Sequence, residues 1–576
     1  MASARSKVIS QLSIYRKQNL KYLEQGYENY VHQKKIEDLN SLPFYVNSLL
    51  PAYLTSLPPL ILSILQTSRT TVEPKYEFRS TTLEDMSASN YNLDDKLERL
   101  EKVKNPGKKS LNHQQKAHYS TRSARKMREN KLPTDRITRA ATLAGMLLNV
   151  ASSGTKDAMS RCIRGEYKDI LRNSLTSDEV IRHVVECLCK MRGTALKFGQ
   201  LLSLQTDVLP EKFRQALISS RHEADVMNKE QVEKLLVQEF GEKWADHFEE
   251  FDFKPMASAS LGQVHKAKTK DGVDVAVKVQ FPGILDSIDS DMDNLVWILT
   301  YTKIVPTNFF ISQYAGEMRT EVMAECDYNN EAKFYEIFRK LKLEGFYVPK
   351  VIEHLSTKVI ITTEFVKGKP LEELKNLSDE VRNSVARRIM KLSLSEVFVY
   401  ELMNTDPNPS NYLYDEETDL IGLVDFGSCR IYARKFVEQY TQLVRASVSE
   451  DYDNIMKYSL EVGFTHPEET EEVLEAHLDS INASAEPFKY DGEYDFSKST
   501  IFTTIMDRSK IIFTKRKRPP PPEIYSLHRK LAGAFLISKI LSAKYNSKIL
   551  FDEIMEVVDS LNTKNNHENR RNNHVT

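Results

Sequence analysis

The pattern of apolar and polar residues changes its period several times along the chain. Residues 155–250 favour helices, since apolar residues between 190 and 204 recur at the spacing of one helix face. Residues 251–282 alternate as β-strands do, with Asp271-Gly272 as a hairpin turn between two strands. Residues 283–345 are again mainly helical, and residues 348–364 predict two strands. The chain therefore combines a strand-rich middle with helical regions on both sides.

Three short motifs carry the chemistry of a phosphate and metal site. Lys278 ends the strand-like run Val-Ala-Val-Lys, 14 positions after Val264, and Asp406 precedes Asn411 by five positions. Asp425 then opens an Asp-Phe-Gly sequence. A protein-kinase-like site needs these types in this order: a strand lysine for the phosphates, an Asp that orients the attacking hydroxyl or water, and an Asn and an Asp that bind Mg²⁺. A surface lysine or a turn-forming Asp-Phe-Gly would explain each motif alone, but their common order predicts nucleotide binding with a divalent metal.

The motifs and the periodicity together predict an α+β, bilobal protein-kinase-like fold with an added helical N-terminal extension at residues 152–250. The N-lobe is expected at 251–366 and the C-lobe at 367–562. Between them, Glu364 and Val366 stand where the connection between lobes would present main-chain groups to adenine. Residues 563–576 are rich in Asn and are predicted to be a disordered tail.

The phosphate loop departs from the usual G-x-G-x-x-G-x-V pattern. Gly262 and Val264 stand in register, whereas Ala257 and Ala259 replace the first two glycines. A Cβ restricts both the left-handed backbone and the close approach of N–H groups to phosphate, although the hydroxyls of Ser258 and Ser260 offer hydrogen bonds of their own. We therefore expect a nucleotide loop at 257–264 that differs from that of ordinary kinases.

Two further departures concern the C-lobe. Asp406 lies in Asn-Thr-Asp-Pro-Asn-Pro-Ser-Asn, without the preceding His-Arg of ordinary kinases. Beyond Asp425 the sequence has no Ala-Pro-Glu, and a helical pattern begins at Arg434. A kinase that grips a protein substrate normally needs a long segment here, so protein kinase activity is doubtful.

These departures resemble the UbiB family of atypical kinase-like proteins. Residues 191–200 contain a K-x-G-Q motif that ends at Gln200, and the Ala-rich loop, residues 325–332 and the Thr-Asp-Pro-Asn sequence are similar to that family. Residues 519–531 resemble its eukaryotic mitochondrial branch, which supports coenzyme Q biosynthesis. The resemblance covers roughly residues 135–560. Two residues depart from the family pattern. Ser258 stands where the family usually has an Ala, and Pro409 where related chains often have an aromatic residue.

The resemblance implies an atypical kinase-like ATPase that supports coenzyme Q (ubiquinone) biosynthesis at the matrix face of the mitochondrial inner membrane. ATP or ADP and Mg²⁺ would be its cofactors, and coenzyme Q biosynthetic proteins and lipid intermediates its partners. Two other functions stay open: a small-molecule or lipid kinase with Asp406 as the base, and a non-catalytic nucleotide-binding scaffold.

The resemblance also assigns a catalytic role to Lys197 and Gln200, which share one helix face at i and i+3. Their helix would cover the active site and fill the space of a protein substrate, whereas the plainer interpretation is a helix surface with a glycine for close packing. Lys278 needs an acidic partner, for which Glu331 is the first choice and Glu325 the second. Because these two lie six positions apart, one of them could instead pair with Lys197.

The first 151 residues predict targeting and membrane contact. Within the leader, 1–101, residues 1–22 are basic and free of acids, as in a mitochondrial transit peptide or an exposed basic helix. Residues 41–67 carry no charge but contain four prolines, which favours an irregular segment that touches the membrane or a poorly ordered leader. Residues 102–151 form a basic linker and a short apolar helix, suited to a surface with anionic lipid such as cardiolipin or, alternatively, to burial in the fold.

Composition excludes some classes. The 576 residues are 41% hydrophobic and 28% charged with a net charge of −1, which fits a globular protein and argues against nucleic acid as a partner. The five cysteines show no paired metal spacing, and reduced structural thiols explain them better than a zinc site does.

Overall fold

The computed structural model describes residues 226–259, 261–301 and 310–572, together with Asn149, Ser152, Ser153, Glu179, Val180 and His183. The predictions for the leader, for the basic linker and its apolar helix apart from Asn149, for Lys197 and Gln200, and for Ser260 lie outside these residues.

The strands of the described residues form one larger sheet and three small ones. In chain order they are β1 (Phe248–Phe251), β2 (Ala257–Ser258), β3 (Gly262–Thr269), β4 (Asp274–Gln280), β5 (Phe346–Tyr347), β6 (Ile360–Glu364), β7 (Lys369–Pro370), β8 (Leu402–Asn404), β9 (Tyr412–Asp415), β10 (Leu420–Leu423), β11 (Cys429–Ile431), β12 (Tyr494–Asp495) and β13 (Lys544–Tyr545). The larger sheet is antiparallel in the order β1-β3-β4-β6, with β2 also paired to β3. The smaller sheets have the orders β5-β10-β9-β7, β11-β8 and β12-β13.

The helices follow the pattern expected for the two lobes. In chain order they are α1 (Lys229–Phe240), α2 (Ile284–Tyr301), α3 (Ile311–Glu325), α4 (Tyr328–Lys340), α5 (Asp379–Phe398), α6 (Arg434–Val448), α7 (Tyr452–Glu461), α8 (Glu471–Lys489), α9 (Ile501–Lys515), α10 (Pro522–Ile540) and α11 (Ser547–Asn572). α5 packs against α10 and α11, and α8 packs against α9.

The sheet and α3 share the core of the N-lobe. Alternate residues of β4, among them Val277 and Val279, are fully buried, and they belong to one apolar cluster with Met318 and Val322 of α3. The alternation leaves Lys278 on the opposite face of β4, half-buried. This register aims Lys278 away from the core and towards the cavity described below.

The β3–β4 hairpin turns at Asp271-Gly272, with φ +78° at the glycine, as the sequence predicted. One other expectation is wrong. Residues 348–364 contain one strand, β6, preceded by a short 3₁₀ turn at Glu353–Leu355 and a single bridge between Val351 and Thr363. The sheet begins at β1, just ahead of the expected strands from residue 251, and α11 runs to Asn572, within the tail for which the sequence predicts disorder from residue 563. No helix within the described residues combines the length and apolar character needed to cross a membrane.

Candidate active site

A cavity of about 910 Å³ brings the three motifs together. Lys278, Asp406, Asn411 and Asp425 line it, as do six other residues assigned to the nucleotide from the sequence: Ala257, Ser258, Ala259, Val264, Glu364 and Val366. Glu331 also lines it, whereas Gly262 and Glu325 lie just outside. Such a cavity between two lobes is a common place for a ligand site.

Lys278 is held by two carboxylates. Its Nζ donates to Glu331 Oε2 at 2.9 Å and Oε1 at 3.0 Å, and to Asp425 Oδ1 at 3.1 Å. Burial lowers the pKa of Lys278, but Asp425 and Glu331 raise it by more, so that the pKa lies well above its usual value. Burial raises the pKa of Glu331 to about 7 even though Lys278 opposes the shift. The lysine is therefore charged and available to phosphates, with Glu331 of α4 fixing its position.

Glu325 occupies a different place from Glu331. It is the last residue of α3, and it accepts a hydrogen bond from Ser428 Oγ. A Cβ added at Gly427 would lie 3.3 Å from both Asp425 Oδ1 and Glu331 Oε2 and 3.6 Å from Glu325 Cγ. The Asp-Phe-Gly sequence thus passes close to both glutamates, with Glu325 behind it and Glu331 at the lysine.

Asp425 is held in an unusual backbone conformation. Its φ is +70°, in the left-handed region that side chains other than glycine rarely adopt. Its N–H donates to Tyr335 Oη at 2.9 Å, and its carbonyl accepts from Asn404 Nδ2 at 2.8 Å. Phe426 is 1% exposed and packs with ring centroids 4.6 Å from Tyr335 and from Phe338. Side chains of α4 and β8 therefore stabilise the strained aspartate.

Asp406 and Asn411 are hydrogen-bonded to each other and bring further oxygen atoms to the cavity. Asn411 Nδ2 donates to Asp406 Oδ2 at 3.0 Å, so the amide oxygen of Asn411 remains as its ligand atom. Asp406 Oδ1 accepts the N–H of Asn408, which begins the 3₁₀ turn Pro409–Asn411. Amide and carboxylate oxygens from Asn411 and Asp425 suit Mg²⁺, which is usually held by one or two protein oxygens, waters and phosphates.

Within the described residues, no group of three or more His, Cys, Asp or Glu side chains could hold a metal by itself. The two cysteines among them, Cys326 and Cys429, are not in disulfides, and burial raises the pKa of the Cys326 thiol to about 12. The raised pKa disfavours the thiolate form of Cys326 that a metal ligand would need.

In the connection between the lobes, the side chains of Glu364 and Val366 contact neighbouring segments of the protein. Glu364 Oε2 accepts from Tyr347 Oη at 2.5 Å and from the N–H of Lys350 at 2.8 Å. Val366 lies so close to Gly422 that a Cβ there would be 2.2 Å from Val366 Cγ1. Both side chains are thus engaged with the protein itself, and the contact of this connection with adenine stays a prediction from the sequence.

Sequence reasoning missed several residues that support the site. Tyr328 is 1% exposed, with Lys278 Nζ 5.1 Å from its ring centroid. Among the residues that the structure describes, its Oη has no hydrogen-bond partner, and it lies 2.9 Å from where a Cβ on Gly262 would be, which explains the glycine. Tyr335 was recognisable in principle, because it lies one helical turn after Glu331 on the same face of α4. Asn404 and Arg529 gave no comparable signal.

The comparisons with known proteins agree with this geometry. Residues 219–459 match the model of the ABC1 atypical kinase-like domain. The chain is 37% identical over 76% of its length to the protein named "Atypical kinase coq-8, mitochondrial" of Caenorhabditis elegans, and the match spans 59% of that protein. It is 34% identical to "Atypical kinase COQ8, mitochondrial" of Saccharomyces cerevisiae, over 76% of this chain and 91% of the yeast protein. The chain belongs to the ABC1, or UbiB, family of atypical kinases.

A mammalian ABC1-family protein gives the same result. The protein named "Atypical kinase COQ8B, mitochondrial" of Rattus norvegicus is 34% identical over 74% of this chain and 81% of the rat protein. Membership of the ABC1 family confirms the resemblance stated from the sequence and the kinase-like fold. The site residues derived from the motifs, from Ala257 to Asp425, all fall within the ABC1-matched region.

Proposed function

We propose that this ABC1-family chain is an ATP-dependent kinase-like ATPase that supports coenzyme Q biosynthesis at the matrix face of the mitochondrial inner membrane. The observation that carries the catalytic part is the meeting of Lys278, Asp406, Asn411 and Asp425 in one cavity. The pathway and the location are supported by the family resemblance and by the printed names of the relatives, which describe mitochondrial atypical kinases.

Each of the four motif residues has a defined task in this proposal. Lys278 would bind the α- and β-phosphates, exchanging its contact with Asp425 for phosphate oxygens while Glu331 keeps it in place. Asn411 and Asp425 would hold Mg²⁺, which neutralises charge on the phosphates when bound. Asp406 would orient the attacking water through a remaining lone pair of its carboxylate, whose two oxygens also accept from Asn408 and Asn411.

The chain between the metal site and α6 argues for hydrolysis rather than protein phosphorylation. α6 begins at Arg434, soon after Asp425, and β11 within this connection is paired to β8. An extended peptide substrate normally lies on a longer segment at this place. Water or a small acceptor needs no such support.

The proposed partners rest on the N-terminal sequence and the family. The basic linker and apolar helix of residues 102–151 suit a membrane surface that contains cardiolipin. Coenzyme Q biosynthetic proteins and lipid intermediates would then be met at that surface, with the conformational cycle of ATP hydrolysis acting on the lipid pathway.

The test is phosphate release from Mg²⁺-ATP by the purified chain, with and without cardiolipin vesicles and a coenzyme-Q-like phenol. We expect Asp425→Asn to lower kcat by at least about 100-fold, because it removes a metal ligand in direct contact with the reaction. The exposed Asp507→Asn on α9 is the matched control and should behave as wild type.

The alternatives give different results in the same assay. Label transfer from ATP to the phenol would favour a small-molecule or lipid kinase, and transfer to a partner protein faster than hydrolysis would contradict the proposal. Nucleotide binding without phosphate release under any condition would indicate a scaffold.

A further inference from the structure

Three glutamates on one face of α3 reach groups of the C-lobe. Glu317, Glu321 and Glu325 follow one another at intervals of four residues, which places them in a row along the helix. Glu317 pairs with Arg430 at 3.6 Å, Glu321 with Arg529 at 2.9 Å, and Glu325 accepts from Ser428. The apolar face of the same helix is buried in the N-lobe core through Met318 and Val322. α3 therefore links the N-lobe sheet to the C-lobe at three points.

The middle contact, between Glu321 and Arg529, extends to the loop of residues 404–411 that contains Asp406. The Arg529 side chain on α10 is 3% exposed. Its Nη2 donates to Glu321 Oε2 at 2.9 Å and to Thr405 Oγ1 at 3.2 Å, and its Nε donates to the Thr405 carbonyl at 3.2 Å. Thr405 immediately precedes Asp406, so one guanidinium joins α3, α10 and the residue next to Asp406.

Thr405 is also tied to the segment that follows the metal-binding aspartate. Its N–H and its Oγ1 both reach the carbonyl of Ser428 at 2.8 Å. On the other side, the N–H of Asp406 donates to Asn404 Oδ1 at 3.2 Å. These hydrogen bonds fix the position of the peptide between Thr405 and Asp406. Asn404 and Ser428 belong to the two segments that line the site, residues 404–411 and 425–428, whereas Arg529 comes from α10.

We propose that Arg529 is a positioning residue for Asp406, which it holds through Thr405 and couples to α3 through Glu321. A buried ion pair contributes little net stability compared with apolar residues of the same volume, so stability alone does not account for an arginine here. The planar guanidinium holds its donors in a rigid fork that bonds a carbonyl, a hydroxyl and a carboxylate at fixed positions, whereas a lysine offers three donors from a single atom on a flexible stem. The inference rests on the proposed ATPase for its kinetic consequence, but its structural part does not.

The experiment uses the full chain with Arg529→Met, Arg529→Lys and Thr405→Val. We expect kcat for ATP hydrolysis to fall roughly 10- to 100-fold in Arg529→Met, because an error of about 1 Å in the position of a catalytic group costs up to that much. The dissociation constant of Mg²⁺-ADP should change by a smaller factor than kcat, since Arg529 lines the cavity but does not touch Lys278. Arg529→Lys, which keeps the charge at Glu321, should recover part of the lost kcat, and Thr405→Val should lie between Arg529→Lys and Arg529→Met.

Arg445→Met is the matched control. Arg445 on α6 likewise donates to a carbonyl, that of Met555 at 3.3 Å, and to a carboxylate, that of Asp559 at 2.7 Å. It is not among the residues that line the cavity. Its loss should lower stability without changing kcat.

Amide hydrogen exchange of residues 402–412, measured without nucleotide, separates this inference from the proposed function. Arg529→Met should raise exchange there by about tenfold or more, and Arg445→Met should not. Unchanged exchange together with wild-type kcat in Arg529→Met, or an equal loss of kcat in Arg445→Met, would overturn the positioning role. A wild-type chain without ATPase activity would refute the proposed function, and exchange raised only in the Arg529 variants would still support the positioning role.

Discussion

The two sides of the active-site cavity are built in different ways. The roof, residues 256–259 and 261–264, contains the short strand β2, which pairs with β3. Main-chain bonds hold it: Ala257 pairs with Val264, and the N–H of Met256 donates to the Val264 carbonyl at 2.8 Å. Such pairing depends on the backbone and tolerates many changes of side chain.

The floor, residues 404–411 and 425–428, is held by individual side chains from several elements. Tyr335 comes from α4, Glu325 from α3 and Arg529 from α10, and each bonds a different residue of the floor. Each of these bonds is lost with one substitution. We therefore expect changes in the roof to alter nucleotide affinity, and changes in or under the floor to alter chemistry or stability.

The largest expected effect concerns a buried ion pair beneath the floor. Lys530 Nζ lies 3.0 Å from Glu396 Oε2 and 3.1 Å from Tyr412 Oη. Tyr412 directly follows Asn411 in the sequence. Glu396→Leu removes the carboxylate that raises the pKa of Lys530 and leaves the buried ammonium without its charged partner, which should lower the free energy of unfolding by about 3–5 kcal/mol. Lys530→Met should cost less, because burial already raises the pKa of Glu396 to about 7 and the acid can take up a proton. Denaturant unfolding measures both variants, and equal losses would contradict this asymmetry.

The next effect is a pH dependence from α10, the helix that supports the floor. Burial, and then the charge of Arg516, lowers the pKa of His528 to about 4. In the unfolded chain this pKa is 6.5, so between pH 6.5 and 4 the unfolded state binds a proton that the folded state does not. Stability is therefore present above pH 6.5 and is lost as pH falls, by about 1.4 kcal/mol per pH unit for one histidine.

His528→Gln should remove that slope. Unfolding free energies of the variant and the wild type are compared at pH 7, 6, 5 and 4.5, because the raised pKa values of Glu317, Glu331 and Glu396 act in the opposite direction in both proteins. If the difference between the two proteins does not change with pH, His528 is not buried as described.

A smaller effect should come from Gly262 in the roof. A Cβ there would lie 2.4 Å from the Val279 carbonyl oxygen and 2.9 Å from Tyr328 Oη, so β3 must shift. We expect Gly262→Ala to lower stability by about 1–3 kcal/mol and to weaken nucleotide binding about tenfold. Gly316→Ala, on α3 with open space around the position, is the control and should stabilise the helix slightly. Titration with Mg²⁺-ADP measures the affinity of both variants. If Gly262→Ala binds Mg²⁺-ADP as tightly as Gly316→Ala and the wild type, the predicted role of Gly262 is wrong.

The smallest effect should come from Ser258. It is exposed, at the end of β2, and its position in the roof is set by main-chain pairing with Gln263. Ser258→Ala should change the dissociation constant of Mg²⁺-ADP by less than about threefold, the size of one ordinary exposed hydrogen bond, and leave kcat unchanged. A change of tenfold or more would show that the roof depends on this side chain after all.

The parts of the site that were predictable from the sequence are those with a local signature. Lys278 stands at the end of an alternating strand, and Asp425 opens a recognisable tripeptide, so both could be placed without coordinates. For the partner of Lys278, Glu331 was the first choice and Glu325 the second; Glu331 makes the contact, and what separates the two is the break between α3 and α4 at residues 326–327. That break turns the two glutamates towards different partners.

The supports of the floor could not have been predicted in the same way. Arg529 bonds Thr405 across 124 positions, and no periodic pattern marks a contact between such distant residues. The prediction of a second strand within residues 348–364 was wrong for a related reason. Val351 makes a single bridge, and the turn at Glu353–Leu355 ends the extended backbone.

The short return from Asp425 to α6 has a consequence for inhibitors. Phe426 lies between Tyr335 and Phe338, and the pairing of β11 with β8 begins three residues later at Cys429. A compound that needs this phenylalanine to leave its place would have to break that ladder as well as the aromatic contacts. A flat adenine mimic that stays at the connection between the lobes meets no such cost. We expect compounds selective for this chain to be of the second kind, small and confined to the front of the cavity.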